Sequence, residues 1–492
     1  MPQTLTPPPR RHAQALPVLT AVVVALASTL VLTLAGCAST AGIAPSAQPV
    51  SPAAIGLADA NVAAPVAPEW WLGFGDAGLS ELVTRALDGN PSLKATQARL
   101  ARSQAAVDNA HAAQGLQVNG TFEATRQHFT ENGLIPPPLA GTMRDTATLQ
   151  AGASWEIDFF GRNRAALDAA IGAQRAAQAD AQAARVLLAS NVARSYVQLA
   201  RLVEQHAVAQ RSLAQRDEIL ALIRQRVQAG LDTKVELRQG EGALPETRAQ
   251  LEAIDEQITL TRHALAALTG QAPQALDQLN PQLKAVQAVP LPANVPADLL
   301  GRRADISAAR WRVEAATSDV ASARAQFYPN VNLTAFAGLS SIGLDRLFKT
   351  GSEQYGAGPA IRLPIFDAGH LRANLRGKSA DLDVAVESYN AAVIDAVRDV
   401  ADQISSLQSI ARQQIEQGAA QDAAESAYDV AVQRYKAGLG TYLVVLNAEA
   451  SVLNQRRSAT ELKARALDTQ VALIRSLGGG YAADATRTAA AH

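Results

Sequence analysis

From residue 162 to 229 the chain carries no proline, and the same holds from 370 to 437. Within both intervals apolar residues return at seven-residue spacing. Leu188, Val192, Tyr196, Leu199 and Val203 do so in the first, and Leu382, Val386, Tyr389, Val393, Val397, Val400, Ile404 and Leu407 in the second. That period predicts long helices, each burying one stripe against neighbouring helices. At about 1.5 Å per residue, each would reach roughly 100 Å. Both intervals end in Ala-Gly-Leu, at 229–231 and 437–439, with the glycine placed for a left-handed C-cap. A second helix should return from each turn, over 235–268 and 442–477. Pro245, with Gly240 and Gly242 beside it, predicts a kink in the first return helix.

Ahead of each long helix the period changes from seven to two. Segments starting at Val118 and Thr146, and again at Val331 and Tyr355, alternate roughly as strands do, in runs near the 9–11 residues that cross a bilayer as tilted strands. Polar, Gly/Pro-rich stretches at 129–145 and 340–353 join them within each pair. Backbone groups in lipid must all be paired, so membrane strands must close into a barrel, and the smallest such barrels use about eight. One chain offers four, as two hairpins with free edges. Either copies of the chain combine to eight, twelve or sixteen strands, or the four form a small soluble sheet under the helices.

The whole pattern occurs twice. Arg226-Val-Gln-Ala-Gly-Leu-Asp-Thr233 returns as Arg434-Tyr-Lys-Ala-Gly-Leu-Gly-Thr441, five of eight positions identical at an offset of 208. Gly161 and Gly369 keep the same offset, as do Glu241 and Glu449. Collinear matches with preserved spacing indicate duplication. The repeats would occupy 69–270 and 301–480. Pro273, Pro281, Pro290, Pro292 and Pro296 mark 271–300 as a linker rather than a core element.

Composition narrows the class. Hydrophobic residues are 48% of 492 but aromatics only 4%, so alanine carries much of the apolar count, as closely packed helices favour. Lys+Arg (44) and Asp+Glu (45) balance, which leaves no electrostatic footprint for nucleic acid. The single cysteine excludes an intramolecular disulfide. It stands at the end of Leu34-Ala-Gly-Cys37, after the basic Arg10, Arg11 and His12 and an uncharged apolar run over 13–36. That order describes a secretory signal over 1–36, and it resembles a lipobox with Cys37 as the lipidated first residue of the mature chain. An uncleaved anchor helix is the alternative. Residues 37–68, rich in Ala, Pro and Ser, read as a flexible tether, and 481–492 as a disordered tail.

The seven histidines have no metal-ligand spacing. Gly377-Lys378-Ser379 lacks the earlier glycine of a phosphate-binding loop, because position 372 is Arg. Asp395, Asp399 and Asp402 read as a charged helix face. Neither a nucleophile elbow nor a dinucleotide fingerprint occurs, so no enzyme and no cofactor is expected.

Several motifs then carry a resemblance. Glu69-Trp70-Trp71 with Phe74 and Asp76, Trp155-Glu-Ile-Asp-Phe-Phe-Gly-Arg162, Arg302-Arg-Ala-Asp-Ile306, Ala325-Gln-Phe-Tyr-Pro329, Leu363-Pro-Ile-Phe-Asp-Ala-Gly369 and Arg434-Tyr-Lys-Ala-Gly438 resemble the TolC-like outer-membrane efflux proteins. The branch is the lipoprotein one typified by NodT and OprM, nearest its fusaric-acid and multidrug-resistance members. The resemblance spans about 68–480. It departs at Ala304 and Leu116, where the family usually has proline.

The resemblance implies a mainly α fold with a membrane β-barrel contribution: a homotrimer with a twelve-stranded outer-membrane barrel above a periplasmic tunnel of helical hairpins. It implies a passive exit duct in outer-membrane lipid, serving an inner-membrane pump through a periplasmic adaptor. It places the periplasmic gate at Glu236 in the first half and at Val444 and Asn447 in the second, where the family commonly has Asp at 447. Tyr442, Thr441, Lys234 and Arg238 would tie the closed state, and Gly230, Leu231, Gly438 and Leu439 would shape the tips that meet the adaptor. The alternative for these residues is a set of solvated turn positions. Alternative functions are a periplasmic adaptor lipoprotein, which normally has one hairpin and no membrane strands, or a structural envelope coiled coil.

Overall fold

The computed structural model describes residues 39–56, 66–290 and 299–481. Cys37, the apolar run before it and residues 482–492 lie outside the described residues. A 3-10 turn, Trp70–Phe74, precedes α1 (Ala77–Gly89) and α2 (Pro91–Ala112). Strands β1 (Gln117–His128) and β2 (Met143–Ile157) lead into α3 (Arg162–Gln228), and α4 (Lys234–Leu268) returns. The order then repeats with α5 (Ala304–Ala325), β3 (Asn330–Ile342), β4 (Glu353–Arg362), α6 (His370–Lys436) and α7 (Tyr442–Ser476). The two long helices have 67 residues each and the two return helices 35 each. Helix α4 runs on through Pro245. Strands β1, β2 and β3, at 12, 15 and 13 residues, exceed their expected lengths, while β4 has 10.

Gly230 and Gly438 cap α3 and α6. Both sit at positive φ, 73° and 75°. The amide of Leu231 then reaches Arg226 O at 2.9 Å, and that of Leu439 reaches Arg434 O at 2.8 Å. A residue with a Cβ would be strained there.

The chain divides into two compact units. The first comprises 105–172 and 313–385 with, among the described residues, 39–47. Its sheet joins the two expected hairpins into one antiparallel array, β1-β2-β3-β4. In the register Phe122 faces Leu149, Leu149 faces Leu339, and Ala337 faces Tyr355. Because strand side chains alternate, this register collects Val118, Phe122, Leu149, Trp155, Leu333, Tyr355 and Ile361 on one face. Asn119, Thr121, Glu123, Thr148, Gln150, Ser340 and Gln354 gather on the other. On the polar face Gln354 Nε2 donates to Gln150 Oε1 at 3.1 Å, and Thr148 and Ser340 hydroxyls meet at 3.3 Å. The apolar face is open: Val118 is 67% exposed, Phe122 64%, Tyr355 84% and Ile361 70%. A soluble sheet tucked under helices would cover this face, so the sheet is not of that kind.

In the second unit, which among the described residues comprises 48–56, 66–104, 173–290, 299–312 and 386–481, Trp70 meets Trp71 and Phe74 edge-on, centroids 5.7 and 6.0 Å apart. They lie in a core with Leu79 and Val83 of α1, Val192, Tyr196 and Leu199 of α3, Leu265 of α4 and Val471 of α7. Asp76 caps α1 by accepting from the Leu79 amide at 2.9 Å and also takes the Tyr196 hydroxyl at 2.7 Å. Burial and that carboxylate hold the Tyr196 phenol above its ordinary value. The proline-spaced stretch over 271–300, read as a linker or equatorial segment, supplies Leu276, Leu283 and Val286 to this same core. Pro273, Pro281 and Pro290 do not prevent burial of these residues between them.

Part of the stretch read as a tether contacts α6 among the described residues. Ser46 and Ala47 donate their amides to the Asp383 carboxylate of α6, at 2.7 and 2.8 Å. Val50 donates its amide to Asn390 Oδ1 at 2.8 Å. A polar, proline-rich composition leaves backbone donors unpaired, and α6 supplies acceptors for them.

Candidate functional site: the hairpin tips

Within the second unit, the α3–α4 and α6–α7 turns are joined by a cluster the sequence did not single out. Arg226, in the last turn of α3, grips Asp232 with two nitrogens, Nε–Oδ2 at 2.9 Å and Nη2–Oδ1 at 3.2 Å. Its Nη1 donates to the Tyr435 carbonyl of α6 at 3.1 Å, and its guanidinium lies 4.6 Å over the Tyr435 ring. The Tyr435 hydroxyl closes the loop by donating to Asp232 Oδ2 at 2.5 Å. Tyr435 is fully buried.

Charge-assisted and bidentate bonds of this kind are the stronger hydrogen bonds. Burial pushes the Asp232 carboxyl up, but the bonds from Arg226 and Tyr435 outweigh it, so the group ends below its ordinary value. The Tyr435 phenol is raised by burial and by Asp232.

Around this clasp Tyr442 lies buried with Ile223, Ala431, Tyr435 and Val445, its ring centroid 6.1 Å from that of Tyr435. One step further along α3, Arg216 donates to Glu449 of α7 at 2.9 Å, to Thr247 Oγ1 at 2.8 Å and to the Ala243 carbonyl at 3.0 Å. Both charged side chains are nearly covered. Arg456 holds Glu425 with two nitrogens, at 2.6 and 2.5 Å, tying α7 to α6. Farther still, Arg201–Glu461 and Arg194–Asp468, both at 2.7 Å, continue the α3–α7 seam at a seven-residue interval.

The residues expected at the gate separate into three groups. Glu236 is engaged locally: it is the third residue of a capping box, accepting from the Thr233 amide at 2.9 Å and from its hydroxyl. That hydroxyl, then the backbone amides, hold its carboxyl below the ordinary range. Tyr442 belongs to the buried cluster. Lys234, Arg238, Thr441, Val444 and Asn447 are exposed, and Arg238 pairs with Glu241 at 2.8 Å. Leu231 and Leu439, expected at the tips, are 66% and 70% exposed.

The signal that could have revealed the clasp lies in the differences between the repeats. The position matching Asp232 at the 208 offset is Gly440, and that matching Tyr435 is Val227. Among the described residues no group of three or more His, Cys, Asp or Glu could hold a metal. The contacts at the tips join the two hairpins of the chain.

Comparison with known proteins agrees with this geometry. The family described as outer membrane efflux protein matches residues 82–271 and 295–479, one match to each repeat. The multidrug resistance outer membrane protein MdtP of Escherichia coli (strain K12) is 32% identical over 462 residues, covering 92% of this chain and 94% of that one. The outer membrane protein VceC from Vibrio cholerae superposes with a TM-score of 0.80 at 36% identity, covering 85% of this chain and all of that one. The outer-membrane channel OprN gives 0.81 at 28% identity, covering 90% and 98%. With both repeats matched and relatives aligned almost end to end, this chain belongs to the outer membrane efflux protein family.

Proposed function

We propose that three copies of this chain form a passive exit duct for small, drug-like molecules, fed by an inner-membrane pump through a periplasmic adaptor. The observation that carries the reading is the two-faced sheet. Its apolar face suits lipid and its polar face a water-filled lumen, while β1 and β4 leave backbone groups that only neighbouring strands can pair. Three copies give twelve strands, enough to close. The multidrug resistance label of MdtP supports drug-like cargo.

In this reading the hairpin tips form the periplasmic gate. The Arg226–Asp232–Tyr435 clasp holds the two hairpins of one protomer together in the closed state, and Leu231 and Leu439 meet the adaptor. Acyl chains on Cys37 anchor the mature chain to the membrane.

The test is purification from outer membranes followed by native mass spectrometry in detergent and planar-bilayer recording. The expected result is a trimer that forms discrete conducting pores. A folded single copy that stays in buffer without detergent and never conducts overturns the proposal.

A further inference from the structure

On the polar face of the sheet one side chain breaks the pattern. Alternation puts Phe336 of β3 there, among Gln150, Thr334, Ser340 and Gln354, and it is 40% exposed. Apart from Ile342 at the end of β3, no other large apolar residue of the four strands falls on that face. The paired positions on both sides of Phe336 are glycines, Gly152 of β2 and Gly356 of β4. The ring leans over Gly356, where a Cβ would lie 2.8 Å from Cε1. Covering a strand glycine with an aromatic ring stabilises a sheet, but that accounts for Gly356 alone. A Cβ at Gly358 would meet nothing within 4 Å, and one at Gly152 only Asn119 Oδ1, at 3.0 Å.

The polar side chains beside the ring are engaged with one another and with backbone. Gln354 donates to Gln150 at 3.1 Å, across Gly338, and the Thr334 hydroxyl donates to the Gly358 carbonyl at 3.2 Å. What this place offers a passing molecule is therefore an apolar ring bordered by bare peptide. Glycines inside strands mark positions where a ligand can come close to the backbone. An aromatic ring prefers a second ring offset-stacked or edge-on, with centroids about 4.5–7 Å apart. A flat molecule fits beside Phe336 because no Cβ at Gly152 or Gly358 lifts it from the sheet. A puckered, saturated molecule of the same charge matches that flat space less well.

We infer that Phe336 and the glycines around it form a contact site for planar aromatic cargo on the lumen face of the barrel, where side chains tune selectivity. The inference rests on the duct reading above, and the experiment separates the two.

Single pores of the full chain are recorded in planar bilayers, with 2-naphthoate or its saturated counterpart decahydro-2-naphthoate added on the side of the β1–β2 and β3–β4 loops. The two probes share charge and carbon skeleton and differ in aromaticity. The expected result is current blockades that last severalfold longer with 2-naphthoate. That excess should vanish in F336L, which keeps apolar bulk without a ring, and persist in F336W. Equal dwell times for the two probes in wild-type pores overturn this inference and leave the duct standing, and that comparison needs no variant to fold. A naphthoate excess that survives in F336L places the contact elsewhere and also overturns it. Wild-type protein that forms no pore overturns the duct reading, and this inference with it.

Discussion

Tyr435 of α6 donates its hydroxyl to Asp232 of the α3–α4 turn at 2.5 Å, joining two hairpins that began as copies of one another. Neither partner exists at the matching position of the other copy, where Val227 and Gly440 stand. The second tip keeps only a backbone echo, with Arg434 reaching the Leu439 carbonyl at 3.3 Å. Divergence between repeats has therefore made one ionic clasp per chain rather than two.

Removing the clasp should loosen the tip. Asp232→Ala strands Arg226 and deprives Tyr435 of its acceptor, whereas Tyr435→Phe loses one bond to a charged group, a loss of about 1.5–3 kcal/mol. Single-channel conductance in planar bilayers should rise in both variants, more in Asp232→Ala. Wild-type conductance in both would remove the clasp from the gate.

Acid should act on the same contact. Asp232 is lowered in the folded state, so its stabilisation is complete above the ordinary carboxylate value, near about 4, and is lost as pH falls through the lowered one. Conductance should stay flat from neutrality down to about that point and then rise. Asp232→Asn should abolish the acid limb. A rise beginning near the ordinary histidine range would assign it to another group.

Arg216 and Glu449 allow a stability test. Truncating Arg216 to Ala leaves a nearly buried carboxylate without its partner, which typically costs about 3–5 kcal/mol. Replacing both with Met and Leu should recover most of the loss, because the pair's desolvation cost then disappears. Thermal melts of the detergent-solubilised protein would compare the three variants. Equal melting of the single and double variants would contradict an energetically coupled pair.

The sheet's two faces predict opposite responses from adjacent residues of β1. Arg at Phe122 would sit among lipid tails, at a cost of roughly 2–4 kcal/mol near the bilayer midplane. Arg at Thr121 would face the lumen and be tolerated. Urea titrations of folding into lipid vesicles should separate the two variants by that margin.

Much of this architecture was legible in the sequence, because it rests on local rules. Absence of proline and a seven-residue apolar period specify α3 and α6, and Gly230 and Gly438 specify where they stop. Alternation around Phe122 and Trp155 specifies strands. Burial of Leu276 and Leu283 was not legible, since prolines announce a break in helix but not what the intervening residues touch. At the tips, Thr233-Lys-Val-Glu236 is a capping-box spelling, and the structure engages Glu236 in that local role. Asp232 and Tyr435, by contrast, meet only after two hairpins dock, about two hundred residues apart in sequence. No local pattern encodes such a meeting.

The open borders of the β1–β4 array set the conditions of biogenesis. If three copies close one barrel, as proposed, a newly exported chain is an unfinished wall whose seams only two siblings can seal, and productive folding then depends steeply on how many chains arrive together. At low supply, single chains wait with bare seams and are prey to proteases. At high supply, strays can stitch to the wrong neighbour. Yield should therefore peak at an intermediate synthesis rate, which is a property of the population and not of any one molecule.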